Sequence, residues 1–455
     1  TGLSLSSMTR HAESSEFLAA AKTEAARAVE HRKKVLEHVG AEAFTVDDFH
    51  KEEPGDWKHT TGRSDVTPAE LQLGKRCHGA HVETLSADIT PAGSHYLLIH
   101  FDVPLIDPSA YRLKIHGLVD KEVSLSLADI KRRKAQTASV LMACAGNGRM
   151  GLTERFTSHV PWGPDAFGCA DWTGCSLAEL LQEVGVKDGA AQVIFTGADK
   201  GVEWNTVDYF RRSLTVEQAM TGHVMLCWQM NGADLLPCHG APVRIIVPGW
   251  YGMASVKWLT SIEITSGGWW GTEMDVYCYR RSRLDPTPLP IEQLPVRAMM
   301  APPGHPDFYS RTRLLAPGVV RVRGKVWAGA VDIDYVEFSS DGAKTWQRAE
   351  VGGKSGAFGW AAWHFDWDAK TEGSYVLSCR GVDAAGRTQD PLCDDQFNYT
   401  GMGSTQPQLV YVRVTADIET VGGSINLEVE EEAAKKPEVM EKAQWDGLYR
   451  APGSQ

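Results

Sequence analysis

The sequence predicts an α+β domain followed by an all-β domain within one chain of 455 residues. From Cys77 to about Met300, short apolar segments of strand and helix type alternate and are interrupted by glycine, proline and tryptophan. That pattern is typical of an irregular mixed domain rather than a doubly wound sheet. After Met300 the apolar residues recur with a period of two, which predicts short strands.

Composition excludes several classes of function. Hydrophobic residues make up 43% of the chain and charged residues 23%, as in an ordinary globular protein. No apolar run reaches the roughly 18 residues that a membrane span needs, so none is predicted. The formal net charge of −12 disfavours nucleic acid as a partner and suits a basic one, such as a small electron carrier.

Four regions are predicted along the chain. Residues 1–75 contain an amphipathic helix at 14–39 and a polar arm. Residues 76–300 form the mixed domain, whose clearest predicted elements are three buried strands and one helix: 140–143, 193–195, 243–247 and Leu177–Val184. Residues 299–304 read as a linker. Alternating apolar residues at 331–335, 375–379 and 410–414 then predict an immunoglobulin-like sandwich at 301–415, with a turn at 341–342 and an acidic tail at 416–455.

A glycine-rich loop opens at Cys144, which ends a predicted strand. Gly146, Gly148 and Gly151 match a dinucleotide-binding pattern, but prolines and glycines interrupt the segment where the required helix would follow. Loop amides and the cation of Arg149 instead favour a thiolate, a soft ligand for a thiophilic metal. A small buried core cysteine is the alternative interpretation.

The spacing of the cysteines excludes two kinds of cofactor site. The chain has nine cysteines but neither a CxxC pair nor a CxxCH motif, so no zinc ribbon and no covalent c-type haem are predicted for this chain.

A second group of candidate binding residues lies at 238–259, where His239, Arg244 and Lys257 occur together with several glycines. Such cations beside an accessible backbone can clamp a phosphate. A strand with solvated charges accounts for these residues equally well.

Taken in order, these motifs resemble the sulfite oxidase family of molybdopterin enzymes. The matching segments are Cys-Ala-Gly-Asn at 144–147 with Arg149, Met-Asn-Gly at 230–232, His-Gly-x-Pro-Val-Arg at 239–244, Val-Pro-Gly at 247–249 and Val-Lys-Trp-Leu at 256–259. The resemblance runs from about Leu97 to Val414. It implies a molybdopterin-binding catalytic domain, an immunoglobulin-like dimerisation domain and a molybdenum–molybdopterin cofactor.

The resemblance also implies residue roles. Cys144 matches the molybdenum ligand, and Arg149, Trp162 and Tyr277 match the residues around the substrate. Tyr279 is a rival to Tyr277 because the alignment needs a gap there. The pterin and its phosphate are expected to be held by six residues: His100, Asp199, His239, Arg244, Ser255 and Lys257.

Two departures from the family pattern bear on the substrate. Members that oxidise free sulfite place one arginine two residues before the position of His100, and another in a Trp-x-Trp-Arg context of the second domain. This chain has Leu98 and His364 there. Each charged hydrogen bond is worth about 1.5–3 kcal/mol, so losing two guanidinium groups weakens recognition of a small dianion. Free sulfite is therefore predicted to be a poor substrate.

Segments 93–104, 142–149 and 250–255 resemble most closely the molybdenum subunit of the sulfane dehydrogenase branch, from the bacterial sulfur-oxidising (Sox) system. That resemblance implies oxidation of sulfane sulfur on a carrier protein and electron transfer to a separate c-type cytochrome subunit. It also implies a homodimer through the second domain, hence a heterotetramer with the cytochrome, in the periplasm. A start at Thr1 without Met fits a removed signal peptide or a trimmed sequence.

Two other functions compete with this one. A sulfite dehydrogenase of the same fold would act on free sulfite, and substrate assays separate it from a sulfane dehydrogenase. A binding or scaffold subunit would carry no cofactor, and metal analysis separates it from both enzymes.

Overall fold

The computed structural model describes residues 77–151, 159–203, 206–280, 285, 287–389, 398 and 400–418. The predicted N-terminal helix and arm, and nearly all of the acidic tail, lie outside these residues. The helices within the described ranges are too short or too polar to serve as a membrane span.

The first part of the described chain is a mixed domain of short helices and two main sheets. Its strands are β1 (Cys77–His78), β2 (Leu97–Leu98), β3 (Arg112–Gly117), β4 (Val123–Ser126), β5 (Gln136–Ala143), β6 (Phe167–Ser176), β7 (Gln192–Glu203), β8 (Thr206–Thr215), β9 (Met225–Met230), β10 (Ala233–Asp234), β11 (Arg244–Ile246), β12 (Leu259–Thr265), β13 (Cys278–Tyr279) and β14 (Leu289–Pro290). Its helices are α1 (Leu127–Lys131), α2 (Leu177–Val184), α3 (Val216–Ala219) and α4 (Thr272–Val276), with 3-10 turns at Val82–Ser86, Ala92–Ser94, Arg149–Gly151, Pro237–His239 and Gly252–Ala254.

In the described residues, one main sheet has the order β10-β9-β6-β5, with β11 also paired to β9, and the other has the order β4-β3-β12-β7-β8. One apolar core spans both sheets and buries the apolar side chains of α2, and a second, smaller apolar cluster contains Cys144. The predicted strands at 140–143 and 193–195 are confirmed as parts of β5 and β7, and the predicted strand at 243–247 is confirmed in its middle three residues, which form β11.

Helix α2 shows why its bounds could be read from the sequence. Ser176 precedes the first turn, and its hydroxyl accepts a hydrogen bond from the Glu179 amide. Gly185 follows the last turn with φ of 69°, a conformation that favours glycine. The helix spans Leu177–Val184, as predicted.

The loop after β5 does not bind a dinucleotide in the usual topology. β5 and β6 are antiparallel neighbours, with Ala143 opposite Phe167. A dinucleotide site needs parallel strands joined by a helix that starts at the glycine-rich turn. The glycine pattern at 146–151 is therefore a loop feature only.

The second part of the described chain is built from strands: β15 (Arg297–Ala301), β16 (His305–Pro306), β17 (Arg313–Leu315), β18 (Gly318–Trp327), β19 (Ile333–Ser339), β20 (Gln347–Lys354), β21 (Ala361–Ala369), β22 (Gly373–Asp383) and β23 (Gln408–Val414). β20 pairs with β19 through its first half and with β21 through its second, so the strand path folds over at β20. The two layers meet in an apolar core, where Phe338 of β19 stacks on Phe365 of β21 at 4.7 Å between ring centroids. The predicted β-sandwich is confirmed.

The predicted linker at 299–304 was wrong in its first half. Met299 and Met300 belong to β15, which pairs antiparallel with β18. Both side chains are fully buried. Two consecutive methionines followed by prolines read as a break in the pattern, whereas the strand is buried on both faces and shows no alternation.

Candidate active site

Cys144 lies directly after β5, where the chain turns under the second domain. Its thiol is 6% exposed, and the Gly146 amide donates a hydrogen bond to Sγ at 3.4 Å. Burial raises the pKa of the thiol, while Arg149, the Gly146 amide and the indole N–H of Trp162 oppose that rise. The groups around Sγ therefore favour the thiolate that a soft metal ion binds.

Two cavities meet at Cys144. The inner cavity contains every residue predicted to hold the cofactor: His100, Cys144, Asp199, His239, Arg244, Ser255 and Lys257. The outer cavity contains every residue predicted to face the substrate: Cys144, Arg149, Trp162 and Tyr277. Leu98, His100, Cys144 and Tyr277 line both cavities. The predicted residues thus come together in space, although their individual roles stay predictions.

Two cations form one end of the inner cavity. Arg244 on β11 donates to the carbonyls of His239 and Ser255, each at 2.9 Å, and its guanidinium lies 4.9 Å from the ring centre of Trp172. Lys257 donates to the carbonyl of Leu98 at 2.8 Å. Burial lowers the pKa of Arg244 to about 10, and burial together with Arg244 lowers that of Lys257 to about 7. An anion bound between them would raise both pKa values again and keep Lys257 charged.

The inner cavity also holds polar atoms that have no hydrogen-bond partner in the part of the chain that the structure describes. These atoms are Asp199 Oδ1, Arg244 Nε and His95 Nε2. Burial raises the pKa of Asp199 to about 6, although Lys257 opposes this. Buried polar groups are normally paired, and unpaired ones mark a place where something else supplies the bond. A bound group could therefore form hydrogen bonds with both acceptors and donors of this cavity.

His100 and Tyr277 join the two cavities. His100 Nε2 and the Tyr277 hydroxyl are 2.6 Å apart, and Arg212 lies 5.7 Å from the centre of the Tyr277 ring. Burial lowers the pKa of His100 to about 3, so its ring is neutral, and burial raises the pKa of Tyr277. Tyr279 lies outside both described linings and packs beside Gly403. The structure therefore places Tyr277, rather than Tyr279, next to Cys144.

Arg149 is fixed in the outer cavity by backbone carbonyls. It is 5% exposed, and it donates to the carbonyl of Thr400 at 2.9 Å and to that of Val160. Its side chain runs between two glycines: a Cβ on Gly146 would lie 2.4 Å from Nη2, and one on Gly401 would lie 2.6 Å from Cγ. No larger residue fits at either position without moving the guanidinium.

The segment that holds Arg149 belongs to the second domain and was not predicted from the sequence. Asn398 donates to the carbonyls of Cys278 and Met402, both at 3.2 Å, and its Oδ1 accepts from Thr400. Met402 lines the outer cavity, and the Gly403 amide donates to Ala145 at 2.7 Å. These residues carry no chemical signature and lie some 250 positions from Cys144. Only the fold brings them to the site.

The two departures from the family pattern end in different places. Leu98 lines both cavities, as the substrate argument required. His364 lies on β21, where its Nε2 is 3.2 Å from a carboxylate oxygen of Glu350, and it lies outside the described linings of both cavities. The prediction that His364 removes a cation from the pocket was wrong, because the second domain reaches the site through 398–403 instead of β21.

The inner cavity fits a molybdopterin cofactor. Arg244 and Lys257 suit its phosphate, and Asp199 Oδ1 suits an N–H donor of its ring. The Cys144 thiol, which lines the same cavity, suits the metal. A purely structural core would not retain two cations and several unpaired polar atoms in one buried space.

Comparisons with known proteins agree with this assignment. Residues 100–270 match the family described as oxidoreductase molybdopterin binding domain. The chain is 28% identical to sulfite oxidase of Gallus gallus, over 70% of this chain and 71% of that protein. It is 26% identical to a nitrate reductase of Ulva prolifera, over 73% of this chain but 41% of that protein. It spans 62% of the mitochondrial sulfite oxidase of Mus musculus.

Among solved structures, the sulfane dehydrogenase SoxCD of Paracoccus pantotrophus has the same fold. The TM-score is 0.63 at 23% identity, covering 80% of this chain and 95% of that one. The match extends over both the mixed domain and the sandwich. Residues 100–270 thus match the molybdopterin binding domain of oxidoreductases, and about 70% of the chain is similar to sulfite oxidases.

Proposed function

We propose that this chain is the molybdenum subunit of a sulfane dehydrogenase, which oxidises sulfane sulfur carried on a cysteine of a carrier protein. The observation that carries the proposal is the composition of the outer cavity. Among its described lining residues, Arg149 is the single arginine or lysine, and Glu203 adds a carboxyl group to the same wall. A free sulfite dianion is better recognised by several guanidinium groups, each donating paired hydrogen bonds.

The state of Arg149 strengthens this argument. Its Nε and one terminal nitrogen already donate to the Thr400 and Val160 carbonyls. These two bonds use two of its five N–H donors and fix the plane of the guanidinium, which restricts a bidentate clamp on a small dianion. A sulfur atom tethered to a protein carries less charge, and its affinity comes largely from contacts between the two proteins. Such a substrate needs one cation and an open cavity.

In the proposed reaction the cofactor supplies the two-electron oxidation of sulfur at molybdenum. Cys144 would hold the metal, with Arg244 and Lys257 at the phosphate and Asp199 at the ring. Arg149 would stabilise negative charge that develops on the sulfur oxygens. The hydrogen bond from His100 would fix the hydroxyl of Tyr277, and Trp162 would exclude water on the side of the thiol.

The partners follow from the same proposal. Electrons would leave to a separate c-type cytochrome subunit, and the pair would work in the periplasm. The chain would form a homodimer through its sandwich domain, hence a heterotetramer with the cytochrome. Co-purification with a haem protein, followed by haem and metal quantification, tests this assembly. Isolation of a metal-loaded protein that neither binds nor reduces any c-type cytochrome would count against it.

Steady-state kinetics with cytochrome c as electron acceptor test the substrate. We expect turnover of a carrier protein that bears sulfane sulfur on its cysteine, and a kcat/KM for free sulfite lower by about tenfold or more, as the charged hydrogen bond lost at Leu98 implies. A kcat/KM for free sulfite equal to or above that for the carrier would establish a sulfite dehydrogenase instead.

A variant at Leu98 sharpens the test, because this side chain lines both cavities. Leu98→Arg would add a guanidinium to the cavity and is expected to lower the KM for sulfite about tenfold or more. Leu98→Gln is the matched control, since it adds a polar chain of similar size without charge. Equal effects of both variants would show that charge at this position does not govern the choice of substrate.

A further inference from the structure

His95 is a buried side chain of the inner cavity to which the family motifs assign no role. It follows the 3-10 turn Ala92–Ser94 and is 2% exposed. Its ring packs against the backbone of β6, where a Cβ on Gly168 would lie 2.3 Å from it. On another side it meets the His239 ring edge-on, with 5.9 Å between ring centroids. The orientation of the imidazole is thus set by its neighbours on at least two sides.

The tautomer of His95 follows from one hydrogen bond. Nδ1 lies 3.0 Å from the carbonyl oxygen of Tyr96. A carbonyl can only accept, so Nδ1 carries the hydrogen and Nε2 carries a bare lone pair, provided that the ring is neutral. Burial and the nearby His239 lower the pKa of His95 to about 3, which keeps it neutral at any physiological pH.

The remaining nitrogen has no partner among the described residues. Nε2 of His95 is buried and makes no hydrogen bond to any of them, although its residue lines the inner cavity. A buried acceptor without a partner is unfavourable, so a bound group that donates to it gains that lost bond. The hydrogen bonds of Arg244 and Lys257 to backbone carbonyls in the same cavity do not involve this nitrogen.

We propose that His95 is a further cofactor-binding residue, whose Nε2 accepts a hydrogen bond from an N–H or O–H donor of the bound pterin. It would act with Asp199, whose Oδ1 is the second unpaired acceptor of this cavity. His95 Nε2 and Asp199 Oδ1 would accept hydrogen bonds from the donors of the pterin ring system. Arg244 and Lys257 would bind the phosphate. The proposal rests on the family's cofactor and is independent of which sulfur compound is oxidised.

Two amide substitutions separate the two nitrogens of the ring. In His95→Gln the terminal amide replaces Nε2 and keeps a polar group toward the cavity, but it loses the bond to Tyr96. In His95→Asn the amide replaces Nδ1 and keeps the bond to Tyr96, but it leaves the cavity without an acceptor. His95→Phe keeps the ring shape and has neither group. His223→Phe, at an exposed histidine outside the described linings, is the matched control.

The readouts are molybdenum and oxidised pterin per protein, and the rate of cofactor release in mild denaturant, all with protein from a molybdenum-replete host. We expect release to accelerate about tenfold in His95→Asn and His95→Phe, the effect of one buried hydrogen bond. His95→Gln should stay within about twofold of the wild type, and His223→Phe should be unchanged. Release at the wild-type rate in both His95→Asn and His95→Phe would overturn the proposal.

Unfolding of cofactor-free protein distinguishes binding from packing. Without cofactor, His95→Phe removes an unpaired acceptor from a buried site, so its midpoint should equal or exceed that of the wild type. With cofactor, the same variant should unfold at lower denaturant than the wild type. A loss of stability of equal size in both forms would mean that His95 is a packing residue, and the assignment to the cofactor would fail.

Discussion

The inner and outer cavities meet at Cys144, yet they are completed in opposite ways. In the inner cavity, Asp199 Oδ1 and Arg244 Nε lack hydrogen-bond partners among the residues that the structure describes. In the outer cavity, Arg149 is held by the Thr400 and Val160 carbonyls. A bound group is therefore needed to complete the hydrogen bonds of the inner cavity. In the outer cavity the position of Arg149 is already fixed before a substrate binds. Substitutions in the two cavities should fail in different ways.

The largest effect is expected at the point where the cavities join. Cys144→Ser should abolish turnover, because a serine hydroxyl is a harder and more weakly ionised ligand than a thiolate. The fold should survive, since the change replaces one buried atom. Turnover and the thermal midpoint of unfolding check both statements.

Cys169→Ser is the matched control for this prediction. Its Sγ lies 4.0 Å from the hydroxyl of Ser355, so a serine there has a hydrogen-bond partner, and the residue lies outside both described linings. We expect near wild-type turnover from it. Turnover by Cys144→Ser at the level of this control would show that the Cys144 thiolate is not the metal ligand.

The second effect tests whether the outer cavity depends on the second domain. Gly401→Ala would place a Cβ 2.6 Å from Cγ of Arg149 and should displace its guanidinium. A misplacement of about 1 Å can cost on the order of 100-fold in rate, so we expect kcat/KM to fall about 10- to 100-fold. Molybdenum content should not change, because the inner cavity is untouched.

Gly386→Ala controls for the backbone strain of that substitution. Both glycines have positive φ, 64° at Gly401 and 78° at Gly386, but a Cβ on Gly386 meets no atom within 4 Å. The two variants should lose similar stability in denaturant titrations, and only Gly401→Ala should lose activity. Equal activity in the two variants would show that Thr400 and Gly401 do not position Arg149.

The contrast between the cavities also explains how far the sequence could be read. The residues of the inner cavity lie in motifs that carry charge or sulfur, such as Cys144 and the segment 239–257, so their types alone indicated chemistry. The outer cavity is completed by the carbonyl of Thr400, by Met402 and by the glycines at 401 and 403. Their contribution is positional, and position depends on how the sandwich packs on the first domain. His364 was misassigned for the same reason.

The accuracy of the predicted secondary structure also differed between elements. Helix α2 was predicted to the residue because its cap and terminal glycine are local signals. β15 was read as a linker, since a strand that is buried on both faces has no polar alternation to reveal it. Local signals therefore recovered α2 and the apolar run at 140–143, and missed β15, whose two methionines are followed closely by two prolines.

A third, smaller effect separates the two neighbouring tyrosines. Tyr277→Phe would remove the hydroxyl that pairs with His100 at 2.6 Å and lines both cavities. We expect kcat to fall about tenfold, the effect of one buried hydrogen bond. Tyr279→Phe is the matched control and should change kcat less than about twofold. The reverse order of the two effects would assign the pocket position to Tyr279.

The smallest effect tests the inner cavity through stability and needs no turnover. In cofactor-free protein the pKa of Lys257 is lowered from 10.5 to about 7, mainly by burial. Between these values the unfolded chain binds more protons than the folded one, so stability rises with pH, by at most about 1.4 kcal/mol per pH unit for one group. Buried cysteines oppose this rise above pH 9, because their pKa is raised on folding.

The clean window therefore lies between about pH 7 and 8.5. Urea titrations of cofactor-free wild type should show stability increasing across it, and Lys257→Met should lack that slope because it has no titrating ammonium. In cofactor-loaded wild type, the bound phosphate would keep Lys257 charged and the slope should also disappear. A slope that persists unchanged in Lys257→Met would show that Lys257 is already charged in the empty cavity, and that this end of the cavity is not strained toward an anion.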